Sequence, residues 1–474
     1  MSKCKGSISI FSLLSLLLVI ATLFALLEGT RYQEIKRYTN LQTDVALESA
    51  FSNYHQELWK QYRLLGMKSS EADDILMQVA DAKATEKGVS LLRFAVETGG
   101  ISKKTLLTDG KGSVFVKSVA TYMRDNVLYE LAKGIYNQYE SIQQLLKTSG
   151  IDLGKIDEAL MELDKLKSMD ENAKNRSKNG SYIEILECVQ LWKDDLTLGL
   201  FVEDISTISS EKVNLKTDMF HRTLATGNIR DEVELSWLDR ILLQQYILTY
   251  LSNYESCIKG HALVYEAEYL IGKSSRDKEN LISVISRILA IREAANFVSL
   301  LSDSVKVQEA HLLALAIGGI SLNPLVLEVI EIAILTGWAL AESIVDVRAL
   351  LKGKRIPLMK SSDAWRLKLE DITLVNETFI TAKESKYGLS YKDYLGLLLL
   401  FEDELSLAMR TMNAEELTIR KTSGDPFFEM DSLVVQAEAE INYVYSPIFP
   451  FLSVISAEER WNYKVRTNGK YGYY

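Results

Sequence analysis

Residues 7–27 have the sequence SISIFSLLSLLLVIATLFALL, which contains no charged residue, no proline and no glycine. Because an α-helix rises about 1.5 Å per residue, roughly 20 such residues span about 30 Å, the thickness of the hydrocarbon core of a bilayer. Lys3 and Lys5 precede this stretch, whereas Glu28 ends it and Arg31 follows. Basic residues favour the cytoplasmic side of a membrane span. The sequence therefore predicts a single-pass membrane helix with a cytoplasmic N-terminus and an extracellular remainder.

A cleaved signal peptide is the alternative interpretation of this stretch. The apolar part of a signal peptide is usually about 7–15 residues long and leads to a cleavage site of small residues. Here the apolar run is longer, and the sequence GTRYQEIKRY continues directly after Glu28. The sequence favours an uncleaved anchor and leaves the signal peptide as the second interpretation.

The composition is that of an ordinary globular protein with an acidic balance. The 474 residues are 47% hydrophobic and 25% charged, with a net charge of −10. This composition allows two or three packed units and argues against a nucleic-acid surface. Three cysteines and four scattered histidines form neither a disulfide scaffold nor a metal-ligand spacing. We therefore expect no nucleic-acid partner, no metal and no cofactor.

Helical periodicity dominates the chain, and the first proline is Pro324. From residue 28 to Gly66, apolar residues recur every three or four positions, which predicts a long stalk helix that continues the membrane helix. Residues 171–181 are a polar loop in this interpretation. Further helices are expected at residues 69–87, 117–146, 155–169, 181–205, 230–256 and 391–421.

Two apolar runs, residues 310–320 and 325–340, are long enough to be mistaken for membrane spans. Glu328 and Glu331 lie in the second run and Glu342 follows it, and an acidic residue at the bilayer centre costs about 2.5–3.5 kcal/mol. We expect buried helices of a soluble core, with a re-entrant hairpin as the alternative.

A period of two replaces the helical period near the C-terminus. In residues 433–445 apolar residues occupy alternate positions and polar residues stand between them, and residues 461–473 repeat the pattern. Such alternation predicts strands with one buried and one solvated face. The two strands are expected to pair antiparallel, and one or two short strands within residues 88–118 to widen the sheet.

The predicted fold class is therefore α+β, mainly α, with a small antiparallel sheet built from both ends of the exported chain and a helical body inserted between them. The predicted parts are a cytoplasmic tail (residues 1–6), a transmembrane helix (7–27), a stalk helix (28–66), a small α/β part (67–118 and 422–474) and a helical body (119–421).

Residues 271–275, IGKSS, superficially suggest a phosphate-binding loop. That loop needs an earlier glycine to wrap the phosphate, and Ala267 stands at its position. A helix end followed by a serine cap is the expected structure here. Trp338 beside Glu342 is expected to be a core residue near a satisfied carboxylate. Because no catalytic constellation is present in the sequence, we expect a protein that is not an enzyme.

Four blocks of the sequence are similar to an uncharacterised family of single-pass exported proteins from clostridia and related Gram-positive bacteria. The first is the opening KGSISIFSLLSLLLVIATLFALLEGTRYQEIK. The others are EYLIGKSSRDKENLISVISRILAIREAANFVSLLSD (268–303), GWALAESIVDVRALLKGKRIPLMKSSDAW (337–365) and KDYLGLLLLFEDELSLAMRTM (392–412).

The N-termini of that family resemble the pseudopilins of tight-adherence (Flp-type) pilus and secretion systems. The resemblance implies basic residues, a glycine and an apolar helix that sits in the membrane or packs into a filament. It also implies a peptidase site at Gly6–Ser7. The chain departs from the pattern at Phe11, where pilin-like subunits usually have a glutamate that pairs with a neighbour's amino terminus.

Three functions follow as hypotheses. The first is a membrane-anchored structural or accessory subunit of a tight-adherence-like pilus or secretion apparatus, with the lipid bilayer and other subunits as partners. The second is an anchored ligand- or wall-binding module, in which an open cavity around residues 310–350 would hold a ligand whose identity the sequence leaves unknown. The third, a surface hydrolase, would depend on acidic pairs alone.

Overall fold

The computed structural model describes residues 4–85, 92–125, 127, 129–149, 187–192, 196–228, 234–318, 324–448 and 463–473. The helix predicted at residues 155–169 and the loop predicted at 171–181 lie outside these residues.

The chain divides into two compact units. The first unit combines residues 1–121, 223–234 and 427–474, and the second combines residues 122–222 and 235–426. Residues 223–234 belong to the first unit, although nothing in their sequence distinguished them from the predicted helical body. The predicted boundaries of the five parts stay a prediction.

The first unit consists of an antiparallel sheet and the helices that accompany it. Its helices are α1 (Cys4–Phe51), α2 (Gln56–Tyr62), α3 (Ser69–Thr85) and the start of α4 (Ser113–Met123), and its strands are β1 (Met67–Lys68), β2 (Ala95–Leu106), β3 (Leu433–Tyr445) and β4 (Tyr463–Gly472).

Strand β3 is the centre of the sheet. It pairs antiparallel with β2 along one edge, and with β4 and the short β1 along the other. Along β3 the residues from Leu433 to Tyr445 alternate between buried and half-buried positions after the first three. The predicted alternation, the antiparallel pairing of the two C-terminal strands and the third strand from residues 88–118 are therefore confirmed.

The second half of α1 covers this sheet. Ala46, Leu47 and Ala50 are fully buried in one cluster with side chains of β3 and α3. Polar groups at the contact are paired, since Thr43 Oγ1 lies 2.6 Å from Thr467 Oγ1 and 3.2 Å from the hydroxyl of Tyr443. The helix therefore forms one layer of the core of this unit.

The stalk helix ends earlier than the sequence predicted. Helix α1 stops at Phe51, and α2 begins at Gln56 after a turn. His55 Nδ1 caps α2 by accepting a hydrogen bond from the Leu58 amide at 3.2 Å. Ser52 and Asn53, which compete with the helix by bonding to the backbone, mark the break in the sequence. The prediction of one rod up to Gly66 was wrong.

Of the residues 88–118 in which one or two strands were predicted, residues 107–118 do not form a strand. The chain turns at Gly110, Lys111 and Gly112, which all have positive φ, and α4 begins at Ser113. Asp109 fixes this turn because its Oδ2 accepts a hydrogen bond from the Leu106 amide at 2.8 Å. The β-branched residues of SVFV therefore belong to a helix whose start the turn determines.

The second unit is helical. Its helices are α5 (Tyr129–Thr148), α6 (Trp237–Tyr250), α7 (Glu266–Gly272), α8 (Asp277–Leu301), α9 (Ser304–Gly318), α10 (Pro324–Leu351), α11 (Tyr391–Phe401) and α12 (Glu404–Thr422), with single turns at Leu198–Phe201 and Leu374–Glu377. Helix α8 packs along α10, which in turn packs against α9. Residues 187–192 are also helical, so the helix predicted at 181–205 is interrupted.

The helix predicted at residues 391–421 is divided in two. Helix α11 ends at Phe401, and Asp403 caps α12 by accepting a hydrogen bond from the Ser406 amide at 2.9 Å. Between them, the carboxylate of Glu402 pairs with Arg287 at 2.7 Å and with Arg410 at 2.9 Å. Apart from such boundaries, the predicted α+β, mainly α class is confirmed.

Replacement of Leu47 by alanine tests the packing of α1 on the sheet. Leu47→Ala should lower the free energy of unfolding by about 2–5 kcal/mol, because it leaves a cavity in the buried cluster. The matched control is Leu41→Ala on the same helix, where the side chain is 56% exposed and the expected change is within about 0.5 kcal/mol. Urea unfolding followed by circular dichroism measures both. Equal losses in the two variants would contradict the packing.

Candidate functional site

The predicted site residues lie along the first half of α1. The helix backbone runs through Lys5, Gly6 and Ser7, while Lys3 lies outside the described residues. The predicted peptidase site therefore falls within the first turns of the helix.

The apolar part of α1 is bare. Phe11 is 73% exposed, and Leu18 and Leu26 are each 67% exposed. Within the described part of the chain, two helices, α1 and α10, are long and apolar enough to cross a membrane, but they differ in burial. The most apolar window of α1 has no buried residue, whereas 56% of that of α10 is buried inside the protein. Helix α10 is therefore a core helix of the second unit. Helix α1, which is not buried, is the candidate membrane span.

Glu28 and Arg31 lie where the bare part of α1 ends. Arg31 Nη1 pairs with Glu28 Oε1 at 2.7 Å and donates a hydrogen bond to the Ser446 carbonyl at 3.1 Å. The guanidinium of Arg31 also stacks over the ring of Tyr445, 5.4 Å from its centroid. Besides marking the end of the apolar run, these two residues join the helix to the end of β3, a role that the sequence did not indicate.

The second unit contains a groove of about 850 Å³. Helix α9 forms one side, with Val305 63% and Leu312 58% exposed, and residues 362–370 form the other. Trp338 and Trp365 line it as well, with ring centroids 6.0 Å apart and planes at 87°. The groove is therefore open to solvent and lined by a mixture of apolar, aromatic and charged side chains.

Lysine side chains hold Trp365 in place. Lys306 Nζ lies 5.3 Å and Lys360 Nζ 5.6 Å from the centre of its ring, both within cation–π range. The indole Nε1 of Trp365 is buried, and within the described part of the chain it has no hydrogen-bond partner. Buried donors are nearly always paired in folded proteins, so this N–H is one of the exceptions among the described residues.

A buried network of charges supports the wall that carries Trp365. Glu342 on α10 accepts hydrogen bonds from Lys360 and from the Arg366 and Leu367 amides, the last two at 2.9 Å. Lys360 also pairs with Asp346, one turn further along α10, at 2.5 Å. The network fixes residues 360–367 against α10 by bonds to both side chain and backbone.

Asp346 is the centre of this network because it also pairs with Arg292 of α8 at 2.7 Å. All three ionic side chains are almost fully buried. Burial acts to raise the pKa of Asp346, but the adjacent cations of Arg292 and Lys360 outweigh it and hold that pKa below its ordinary value. Asp346 is therefore an anion that balances two cations.

The structure places Trp338 as predicted and adds a role. Its side chain is buried, and its Nε1 donates a hydrogen bond to the Leu367 carbonyl at 3.0 Å, beside the satisfied carboxylate of Glu342. It also lines the groove, as does Trp365, which the sequence analysis missed. The signal in the sequence was the spacing of four between Glu342 and Asp346 in the most apolar stretch of the second unit, which indicates buried partners.

The remaining motifs have structural roles. Helix α7 ends at Gly272, and Lys273 follows with a φ of 62°, so the helix end predicted in IGKSS is confirmed. The expected serine cap is absent at this point, since Arg276 precedes α8 and makes no side-chain cap. Among the described residues, no group of three histidine, cysteine or acidic side chains is arranged to hold a metal ion.

Fold and site together define a mainly helical α+β protein with a bare apolar N-terminal helix and a grooved helical unit. The chain belongs to the Family of unknown function (DUF5702), which matches residues 173–445. No curated protein and no solved structure matches it.

Removal of the Asp346 carboxylate tests the buried network. Asp346→Ala should lower the free energy of unfolding by about 3–5 kcal/mol, because it leaves Arg292 buried without its anion and leaves Lys360 with Glu342 as its remaining carboxylate. Glu370→Ala is the control, since its pair with Lys368 is exposed and 3.8 Å long, and it should leave stability nearly unchanged. Thermal unfolding measures both variants. A wild-type Tm for Asp346→Ala would refute the role of the network.

Proposed function

We propose that the protein is a membrane-anchored, extracytoplasmic structural or accessory subunit of a tight-adherence-like pilus or secretion apparatus. The observation that supports the anchor is the bare half of α1, in which twelve large apolar side chains between residues 10 and 27 are exposed. Monomeric soluble proteins rarely expose a contiguous apolar surface of this size. A bilayer, or the apolar helices of neighbouring subunits, would bury this surface.

The pilin-like part of the proposal rests on the opening of the sequence. Lys5 and Gly6 precede the apolar run, as they do in pseudopilins, and the bare helix supplies the surface that a filament core would bury. Phe11 replaces the charged residue of pilin-like subunits. This difference favours a subunit or accessory protein that stays in the membrane over one that enters a filament.

The groove of the second unit favours a second candidate function, an anchored module that binds a cell-wall polymer. Known ligand sites are concave and combine apolar side chains with polar groups, as this groove does. Its open form and the aromatic rings of Trp338 and Trp365 suit an extended polymer chain. In neither candidate do we propose a catalytic residue.

Two lysines at the centre of the apolar run test the anchor. The variant Leu17→Lys with Leu18→Lys should shift the protein from the membrane fraction to the soluble fraction, because each charge costs about 2.5–3.5 kcal/mol at the centre of a span. The control carries Tyr129→Lys and Leu131→Lys, which alter exposed residues of α5 and should leave the membrane fraction unchanged. Fractionation after alkaline washing measures the distribution.

A soluble wild-type protein would overturn the anchor. Mass spectrometry of the membrane-derived wild type then separates the two versions of the proposal. A mature terminus at Ser7 would support pilin-like processing, whereas an intact N-terminus would exclude it and leave the anchor in place.

Sedimentation with purified cell-wall sacculi tests the second candidate. Leu312→Asp should weaken co-sedimentation by about tenfold or more, because a buried leucine contact is worth about 1.5–3 kcal/mol. Leu325→Asp is the matched control, since Leu325 is 68% exposed but does not line the groove. If wild type fails to sediment, or both variants sediment like wild type, the groove does not bind the wall.

A further inference from the structure

Aromatic and charged side chains cluster on one face of α1 where its bare half ends. We define the collar as Glu28, Arg31, Tyr32, Tyr445, Ile448 and Tyr463. Tyr445 lies between the other two aromatic rings, 6.2 Å from Tyr32 and stacked on Tyr463 at 5.6 Å. The collar combines α1 with the end of β3, the start of β4 and the residues that follow β3.

The position of the collar along α1 determines its depth. If residues 7–27 fill the hydrocarbon core, the next turn of the helix lies in the headgroup layer, since each residue rises about 1.5 Å and the layer adds about 5–8 Å per side. Arg31 contacts both Tyr445 and the Ser446 carbonyl. These residues of the sheet therefore lie at the same level as Arg31.

The chemistry of the collar suits that layer. Tyrosine is enriched at membrane interfaces because its ring is apolar and its hydroxyl is polar. Tyr463 is 41% and Ile448 42% exposed, so both present apolar surface outward. Ile35, Tyr445 and Val465 form a closed cluster behind them, which makes the collar a rigid part of the first unit.

We propose that the collar is a lipid-binding surface, which rests in the phospholipid headgroup layer and fixes the first unit against the bilayer. The proposal rests on the membrane anchor proposed above and adds to it. The anchor requires only the apolar run, whereas the collar makes the end of the sheet contact lipid. The first unit is therefore held at a fixed depth and does not swing freely on a stalk.

Site-directed spin labelling measures this depth in the full chain. Cysteines are introduced by Ile448→Cys in the collar, Ile20→Cys in the span and Ser52→Cys beyond the end of α1, each in a chain with Cys4, Cys188 and Cys257 changed to serine. All three introduced positions are exposed, so labels there leave the core intact. The protein is reconstituted in vesicles of phosphatidylglycerol and phosphatidylethanolamine. Collision rates with oxygen, which is lipid-soluble, and with a water-soluble nickel chelate are then compared.

The ratio of oxygen to nickel collisions at position 448 should be several-fold higher than at position 52 and lower than at position 20. A ratio at 448 equal to that at 52, with position 20 in lipid, would overturn the collar and leave the anchor standing. An aqueous ratio at position 20 would overturn both. The double variant Ile448→Cys with Tyr463→Ser should move the label towards the aqueous value, and an unchanged ratio would exclude Tyr463 from the surface.

Discussion

A single helix has to satisfy two different surroundings, and the rest of the first unit depends on this constraint. Between Ile10 and Leu27 the large apolar side chains of α1 other than Phe24 are exposed, whereas from Ile35 to Phe51 one face of the same helix is buried against the sheet. The change occurs around Arg31, which is paired with Glu28 and bound to the Ser446 carbonyl. Because the helix is continuous, the apolar half is held rigidly by the half that is folded into the core.

In the second unit, buried charged side chains determine how residues 360–367 pack against α10. A purely apolar α10 would still pack against α8 and α9 but would lose the charged contacts that hold residues 360–367. Glu342 and Asp346 supply these contacts through Lys360 and two backbone amides. A buried ion pair adds little stability compared with a pair of well-packed apolar side chains, but it specifies which side chains contact each other. The rigid wall that results is what keeps the groove open beside Trp365.

Sequence patterns predicted the elements of the fold whose information is local. Strands β3 and β4 could be predicted because apolar and polar residues alternate with a period of two. Helix α1 could be predicted because its apolar run is unbroken. The end of α1 at Phe51 and the start of α4 at Ser113 were missed, since they depend on the cap at His55 and the turn at Asp109. A cavity around residues 310–350 was one hypothesis from the sequence, but the wall of the groove formed by residues 362–370 was missed for another reason. Its network joins Arg292, Asp346 and Lys360 from distant parts of the chain, and no periodicity encodes such partners.

The continuous helix also bears on the choice between an anchor and a signal peptide. Cleavage after residue 27 would remove only side chains that contribute nothing to the core, so the packing of the sheet does not by itself require the apolar half. The junction would also be retained, because Glu28 and Arg31 lie after residue 27, and they are joined to each other and to the end of β3. In the folded chain this turn is helical and its charged side chains are nearly buried. A signal peptidase acts during export, before the chain has folded, so this burial does not distinguish the two interpretations, and the length of the apolar run remains the argument for an uncleaved anchor.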